Sequence, residues 1–140
     1  MKDTEEQEEY EALPTDRQPA IRVLAMPADT NAHGDIFGGW IMSQVDIAGS
    51  VAAHKAVDGR VVTVAVNSFQ FRKPVFVGDL ISCYAEVVRI GRTSLTVVVE
   101  VFAERERHEG RCIKVTEATL TYVAVNERGQ PRPVNPGRNP

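Results

Sequence analysis

The sequence predicts an α+β domain in which one long helix is wrapped by a curved, mostly antiparallel sheet. Residues 38–57 are apolar at helical spacing, whereas four later stretches alternate with a period of two. Two of the connections between those stretches are short enough for antiparallel hairpins. One apolar helix and one long sheet can bury each other only if the sheet curves around the helix.

The first expected element is a short strand at 20–25, "AIRVLA", followed by the loop "MPADTNAHGDIF". The helix follows over 38–57. Ile41, Val45, Ala48, Ala52 and Ala56 repeat at helical spacing, and Met42, Gly49 and Ala53 widen the apolar face. A helix apolar over so much of its circumference should be largely enclosed by protein. In the next stretch Val62, Val64 and Val66 share one face, and Phe69 and Phe71 take the other. Ile81, Cys83, Ala85 and Val87 alternate next, then Leu95, Val97, Val99 and Val101, then Ile113, Val115, Glu117 and Thr119. Val98, Phe102, Ala118, Leu120 and Tyr122 are apolar at opposite-face positions, so parts of the sheet should be covered on both sides. One helix covers only one face, which predicts oligomerisation. Turn signals separate the strands at 58–60, 73–79, 89–94 and 104–110.

The 140 residues fit a single domain over 20–126. Residues 1–19 hold seven acids against Lys2 and Arg17 and read as a disordered acidic tail. Residues 127–140 form a Pro- and Gly-rich tail that cannot continue a central strand. Between the tails eleven acids balance eleven bases, so no nucleic-acid footprint is expected. The acidic start lacks a basic segment followed by an apolar core, so a secretory leader is not expected and the cytoplasm is the expected compartment. Residues 36–53 are nearly long enough to suggest a membrane span. They carry Asp46, Gln44, two serines and three glycines, so no membrane role is expected. Cys83 and Cys112 lie in strand-like stretches without metal-ligand spacing and read as buried free thiols.

The chemistry concentrates at the helix. No Ser, Thr, Asn or Asp immediately precedes Gly38, and the glycine pair Gly38–Gly39 has no side chains to shield the first unpaired amides. A carbonyl or phosphate oxygen could approach them, and amides aimed at an oxyanion stabilise acyl transfer. The alternative is close packing of these glycines against the sheet. Asp46 lies about two turns on, with Met42, Gly49 and Ser50 as helical neighbours and no cation among them. A carboxylate buried there without a partner would suit a general base or nucleophile. Alternatively it faces solvent at the helix edge or meets a distant arginine.

The preceding loop holds Asp29, Asn31, His33 and Asp35. Asp29 and Asn31 also suit loop capping, and His33 could be a general base or a hydrogen-bonding member of the loop. The other histidines, His54 and His108, are remote in sequence, so no metal is expected. Arg72 and Lys73 end a strand, and Arg89 and Arg92 flank Gly91 before Thr93 and Ser94. Either cluster could hold phosphates or form a solvated rim.

The segments "LAMPADTNAHGDIFGGWIMSQVDIAG", "GRVVTVAVNSFQF", "KPVFVGDLISCYAEV", "GRTSLTVVVEV" and "TEATLTYVAV" resemble, in order, the hotdog-fold acyl-CoA thioesterases of the bacterial YciA-like branch. The resemblance spans about residues 22–133. It implies a sheet wrapped around the central helix, edge-to-edge dimers with active sites at the interface, and assembly into a trimer of dimers. It implies hydrolysis of acyl-CoA to acid and CoA. No cofactor is implied, since CoA is part of substrate and product.

By the same resemblance Asp46 is the general base or nucleophile, and the Gly38 or Gly39 amide meets the thioester carbonyl. Asn31 and Asp35 are polar neighbours, and His33 and Phe37 belong to the substrate-contacting loop. Arg72, Lys73, Arg92, Thr93 and Ser94 are the candidates for holding CoA. Relatives often carry Asn at the position of His33 and an acid at that of Asn67, so Asn67 receives no catalytic role. "DTNAH" at 29–33 is similar to the Asp–His pairing of hotdog enoyl-CoA hydratases, with a shorter spacing. A hydratase or dehydratase, and a non-catalytic acyl-CoA-binding regulator, are therefore the rival expectations.

Overall fold

The structure is a computed structural model and describes residues 11–105 and 111–134. Its elements are β1 (Glu11–Ala12), β2 (Ile21–Leu24), a 3-10 turn (Pro27–Asp29), α1 (Gly38–Ala56), β3 (Arg60–Phe71), β4 (Leu80–Ile90), β5 (Ser94–Glu104) and β6 (Arg111–Val125). They form one six-stranded sheet in the order β3-β6-β5-β4-β2, with β1 pairing the start of β6. Every pairing among the described residues is antiparallel. The predicted helix and long strands are therefore present. No helix among the described residues is long and apolar enough to cross a membrane.

Helix α1 packs Ile41, Val45, Ala48, Gly49 and Ala53 against the sheet. Its floor is Leu95, Val97, Val99 and Val101 of β5 with Ala118, Leu120 and Tyr122 of β6. Each fully buried large aliphatic side chain stabilises the fold by about 1.5–3 kcal/mol, so this helix–sheet layer dominates the packing energy. Within one protomer the enclosure of the helix is incomplete: Met42 and Ile47 are 39% and 49% exposed. One sheet can cover only one side of a helix.

The strand phases differ from simple alternation because β-bulges interrupt them. Along β3, Thr63 pairs Tyr122 and Ala65 pairs Thr121, so Val64 is an extra residue; Asn67 is a second. Each bulge shifts the side-chain phase by one. Val66 therefore pairs with the core residue Leu120 and leaves the face it was expected to share with Val62 and Val64. In β6, Val101 pairs Thr116 and Phe102 pairs Lys114, which leaves Val115 as the extra residue. Val115 thereby joins Ala118, Leu120 and Tyr122 in the core instead of opposing them.

Order extends beyond 20–126 at both ends. Within the expected tail, β1 pairs Glu11 with Cys112, and Leu13 covers a small cluster of Tyr84, Phe102 and Cys112 on the sheet face away from the helix. Arg17 pairs with Glu100 and lies over the Tyr84 ring. This apolar cover and ion pairing outweigh the acidic composition; residues 1–10 lie outside the described part. At the other end β6 stops at Val125, and residues 127–134 fold back. Val134 is buried in the main core, and its N–H donates to the Arg92 carbonyl at 2.9 Å.

Cys83 and Cys112 are both free and buried, as expected. Burial pushes the Cys83 thiol from an ordinary 9.0 up to about 12. Burial, then the Glu11 and Glu104 carboxylates, push Cys112 to about 11. The thiolate is the reactive form, so both should be inert in the native protein. Titration with dithiobis(nitrobenzoate) at pH 8 should find no reactive thiol in native protein and both thiols in guanidinium. Their linkage has a defined sign. Unfolded thiols ionise near their ordinary value while folded ones stay protonated, so this contribution is complete below about pH 8 and is lost as pH rises from 9 toward 11–12. Rapid native labelling would show that the strand over Cys112 is open.

Candidate active site

The loop before the helix is folded by its own polar side chains. The Asp29 carboxylate accepts the Met26 N–H at 3.1 Å, and Asn31 Oδ1 accepts the His33 and Asp35 N–H groups at 2.8 and 3.1 Å. Gly34 turns the chain with φ +88°, a left-handed conformation that favours glycine. Asn31 N–H then donates to the Asp35 carbonyl, and Phe37 N–H to the Asp29 carbonyl. The loop thus doubles back and delivers Gly38 to the start of α1. The capping role weighed for Asp29 and Asn31 is met, and the Asn31 amide nitrogen retains no partner among the described residues.

Phe37 occupies the N-cap without a side-chain hydrogen bond. The Gly38 and Gly39 amides have no acceptor among the described residues, as the first turn of a helix allows. The two glycines differ in surroundings. A Cβ on Gly38 would lie 2.9 Å from the Phe71 ring, whereas one on Gly39 would meet nothing within 4 Å. Close packing therefore accounts for Gly38 and leaves Gly39 open.

A cleft of about 360 Å³ lies beside this helix end. Asp35, Gly38, Arg72 and Lys73 line its polar side, and Ile41, Phe71 and Val75 its apolar side. Its back wall is held by Asp79, whose carboxylate accepts the Phe76 N–H at 2.9 Å and pairs with Arg105 at 3.2 Å. Arg105 also donates to the Pro74 carbonyl at 2.6 Å. Arg72 and Lys73 are exposed and form no ion pair among the described residues. Phe37 and His33 are exposed on the same loop. Arg92, Thr93 and Ser94 are not brought to this cleft. They follow the C-terminal end of β4, and none of them is among the residues that line the cleft.

Asp46 is half-buried in the middle of α1. It is neither stranded nor paired with an arginine, because two hydroxyl groups meet it. Thr63 Oγ1 donates to Asp46 Oδ1 at 2.7 Å. The Tyr122 hydroxyl lies 3.0 Å from the same oxygen and 2.9 Å from the Asp46 backbone carbonyl. Two hydroxyl donors on one oxygen can fix the orientation of the carboxylate. Neither Thr63 nor Tyr122 stands out in the sequence. Thr63 shares the helix-facing side of the sheet with its pair Tyr122, but periodicity alone does not say that it meets Asp46. Asp46 lies eight residues from Gly38, about 12 Å along the helix axis. One carbonyl cannot touch both within one protomer.

No group of three or more potential metal ligands occurs among the described residues. His33 and Asp29 do not pair; the only hydrogen bond formed by His33 among the described residues is from its backbone.

Residues 33–110 match the thioesterase superfamily. The chain is 52% identical to the acyl-CoA thioester hydrolase YciA of Escherichia coli over 114 residues, covering 80% of this chain and 86% of that protein. It superposes on Cj0915, a hexameric hotdog-fold thioesterase of Campylobacter jejuni, with a TM-score of 0.80 and 47% identity, covering 86% and 92% of the two chains. An acyl-CoA hydrolase of Staphylococcus aureus, solved with butyryl-CoA and CoA, superposes with a TM-score of 0.76 and 31% identity over 81% of this chain and 69% of that one. Solved variants of that enzyme replace an aspartate and an asparagine, fifteen positions apart, with alanine. The chain belongs to the thioesterase superfamily and has its hotdog fold.

Proposed function

We propose that this protein hydrolyses acyl-CoA thioesters, of short to medium or broad acyl range, to free acid and CoA at sites shared by two copies of the chain. The observation that carries this is the division of the chemistry along α1. A hydroxyl-held carboxylate and a pair of open amides lie about 12 Å apart, too far to act on one carbonyl unless a second helix supplies the missing half. Two antiparallel copies of α1 set each Asp46 opposite the other Gly38–Gly39. The exposed Met42 and Ile47 side of the helix and the exposed Val64 of edge strand β3 then become covered. The hexameric state of the Campylobacter relative supports a trimer of such dimers. Asn31 and Asp46 are also fifteen positions apart, the separation of the two residues replaced in the Staphylococcus enzyme.

The amides of Gly38 or Gly39 polarise the thioester carbonyl. Asp46 of the other copy takes a proton from water as its oxygen attacks the carbonyl carbon, or attacks directly to give a mixed anhydride that water then opens. The oxyanion collapses, the C–S bond breaks, and the CoA thiolate takes up the proton. The acyl chain lies along the apolar side of the cleft. Arg72 and Lys73 face the CoA phosphates, with Asp35, His33 and Phe37 at the mouth. Arg92, Thr93 and Ser94 reach CoA only from another protomer.

Thiol release from acyl-CoAs of increasing chain length tests the reading. One CoA thiol should appear per acid formed, with no background from Cys83 or Cys112. Loss of enoyl absorbance without thiol release would establish a hydratase instead. Saturable binding of CoA esters without either signal would establish a regulator. The separation of Asp29 from His33 speaks against the hydratase.

A further inference from the structure

Both hydroxyl contacts on the Asp46 carboxylate fall on one oxygen. Thr63 and Tyr122 meet Oδ1, and Oδ2 has no hydrogen bond among the described residues. Tyr122 also reaches the Asp46 backbone carbonyl, so its one O–H is shared between the helix backbone and Oδ1. The position is built for this. Tyr122 is 0% exposed, and its hydroxyl lies 2.3 Å from where a Cβ on Gly49 would stand. Gly49, one turn beyond Asp46, is the gap in the helix wall through which the phenol reaches the carboxylate. Burial, with the Asp46 carboxylate beside it, pushes the phenol pKa upward, so Tyr122 stays protonated and remains a donor.

We infer that Tyr122 is a positioning residue for hydrolysis: seated by Gly49, it fixes the rotation of the Asp46 carboxylate and leaves Oδ2 as the oxygen that meets water or the thioester. This rests on the proposed function. A carboxylate free to turn about its Cβ–Cγ bond would present its reacting oxygen in many orientations. Held at Oδ1 by two donors from two strands, it presents one. Tyr122 is enclosed and touches no substrate, so its contribution appears in turnover and not in binding.

The test is Tyr122→Phe, which removes one oxygen and keeps the ring, made alone and together with Asp46→Asn in the assembled protein. Alone it should lower kcat about ten- to a hundred-fold, the equivalent of one hydrogen bond to a charged group, with KM within two-fold. In the Asp46→Asn background it should lower the residual rate no further, because there is no carboxylate left to orient. Equal loss in both backgrounds would make Tyr122 merely structural and overturn the inference, as would an unchanged kcat in the single variant. If Tyr122→Phe fails to assemble, Gly49→Ala carries the same test, since its methyl group displaces the phenol without deleting it. Wild-type turnover by Asp46→Asn would instead remove the proposed role of Asp46, an outcome separate from failure of Tyr122→Phe.

Discussion

Asp46→Asn should lower kcat for every acyl-CoA by about 10²–10⁴-fold, the range lost with a general base, while the protein stays folded and assembled. Asparagine is the informative replacement because the Asp46 side chain also has a structural part. Its Oδ1 accepts from Thr63 at 2.7 Å and from Tyr122 at 3.0 Å, and an amide oxygen can accept both. Alanine would leave both hydroxyls without that acceptor and mix a folding loss into the kinetic one. Asn supplies neither a base nor a nucleophile of comparable strength, so its effect reports the chemistry alone. Melting temperature and elution volume should match the parent. Turnover within a few-fold of the parent would exclude Asp46 as base and nucleophile.

The second large effect is a recovery. Gly39→Pro removes one first-turn amide at a site where no hydrogen bond is lost and an added Cβ would meet nothing within 4 Å. Proline is tolerated in the first turn for that reason. If the Gly39 amide is an oxyanion donor, this variant loses about 10²–10³-fold in turnover. Co-expressed with Asp46→Asn and purified as mixed dimers through two different tags, the impaired parents should regain activity. One site of each mixed dimer carries both lesions, and the other carries neither. Recovery should approach about half the parental turnover per dimer, as a two-fold interface with one intact site requires. Sites built within single protomers would give no recovery, and that result would end the shared-site reading. It would leave open only a role for Asp46 and Gly39 at separate carbonyls.

The regular part of the fold was legible because its signals are local. The helix over Gly38–Ala56 and the four long strands follow from spacing of apolar residues, which depends only on residues a few positions apart. The β-bulges were not legible. A bulge is a choice made between two strands, and Val64, Asn67 and Val115 carry no mark of it in their own segments. The ordering of residues 11–17 was hidden for a related reason. Their acidity suggests solvation, but Leu13 and Arg17 find partners on strands far away in sequence.

The candidate site residues divide along the same line. That Asp46 lies in the helix, that an uncapped glycine pair opens it, and that the two belong to a thioesterase pattern was decided by sequence alone, through helical spacing and resemblance. Tertiary structure decided what Asp46 touches. Pairing with Tyr122 of β6 places Thr63 beneath the helix, and the gap at Gly49 admits Tyr122. It also separated the Arg92–Ser94 turn from the cleft that holds Arg72 and Lys73. The physical reason is that sequence periodicity reports which side of an element is apolar. A hydrogen bond to one carboxylate oxygen depends on where two distant strands lie, and only the packed chain determines that.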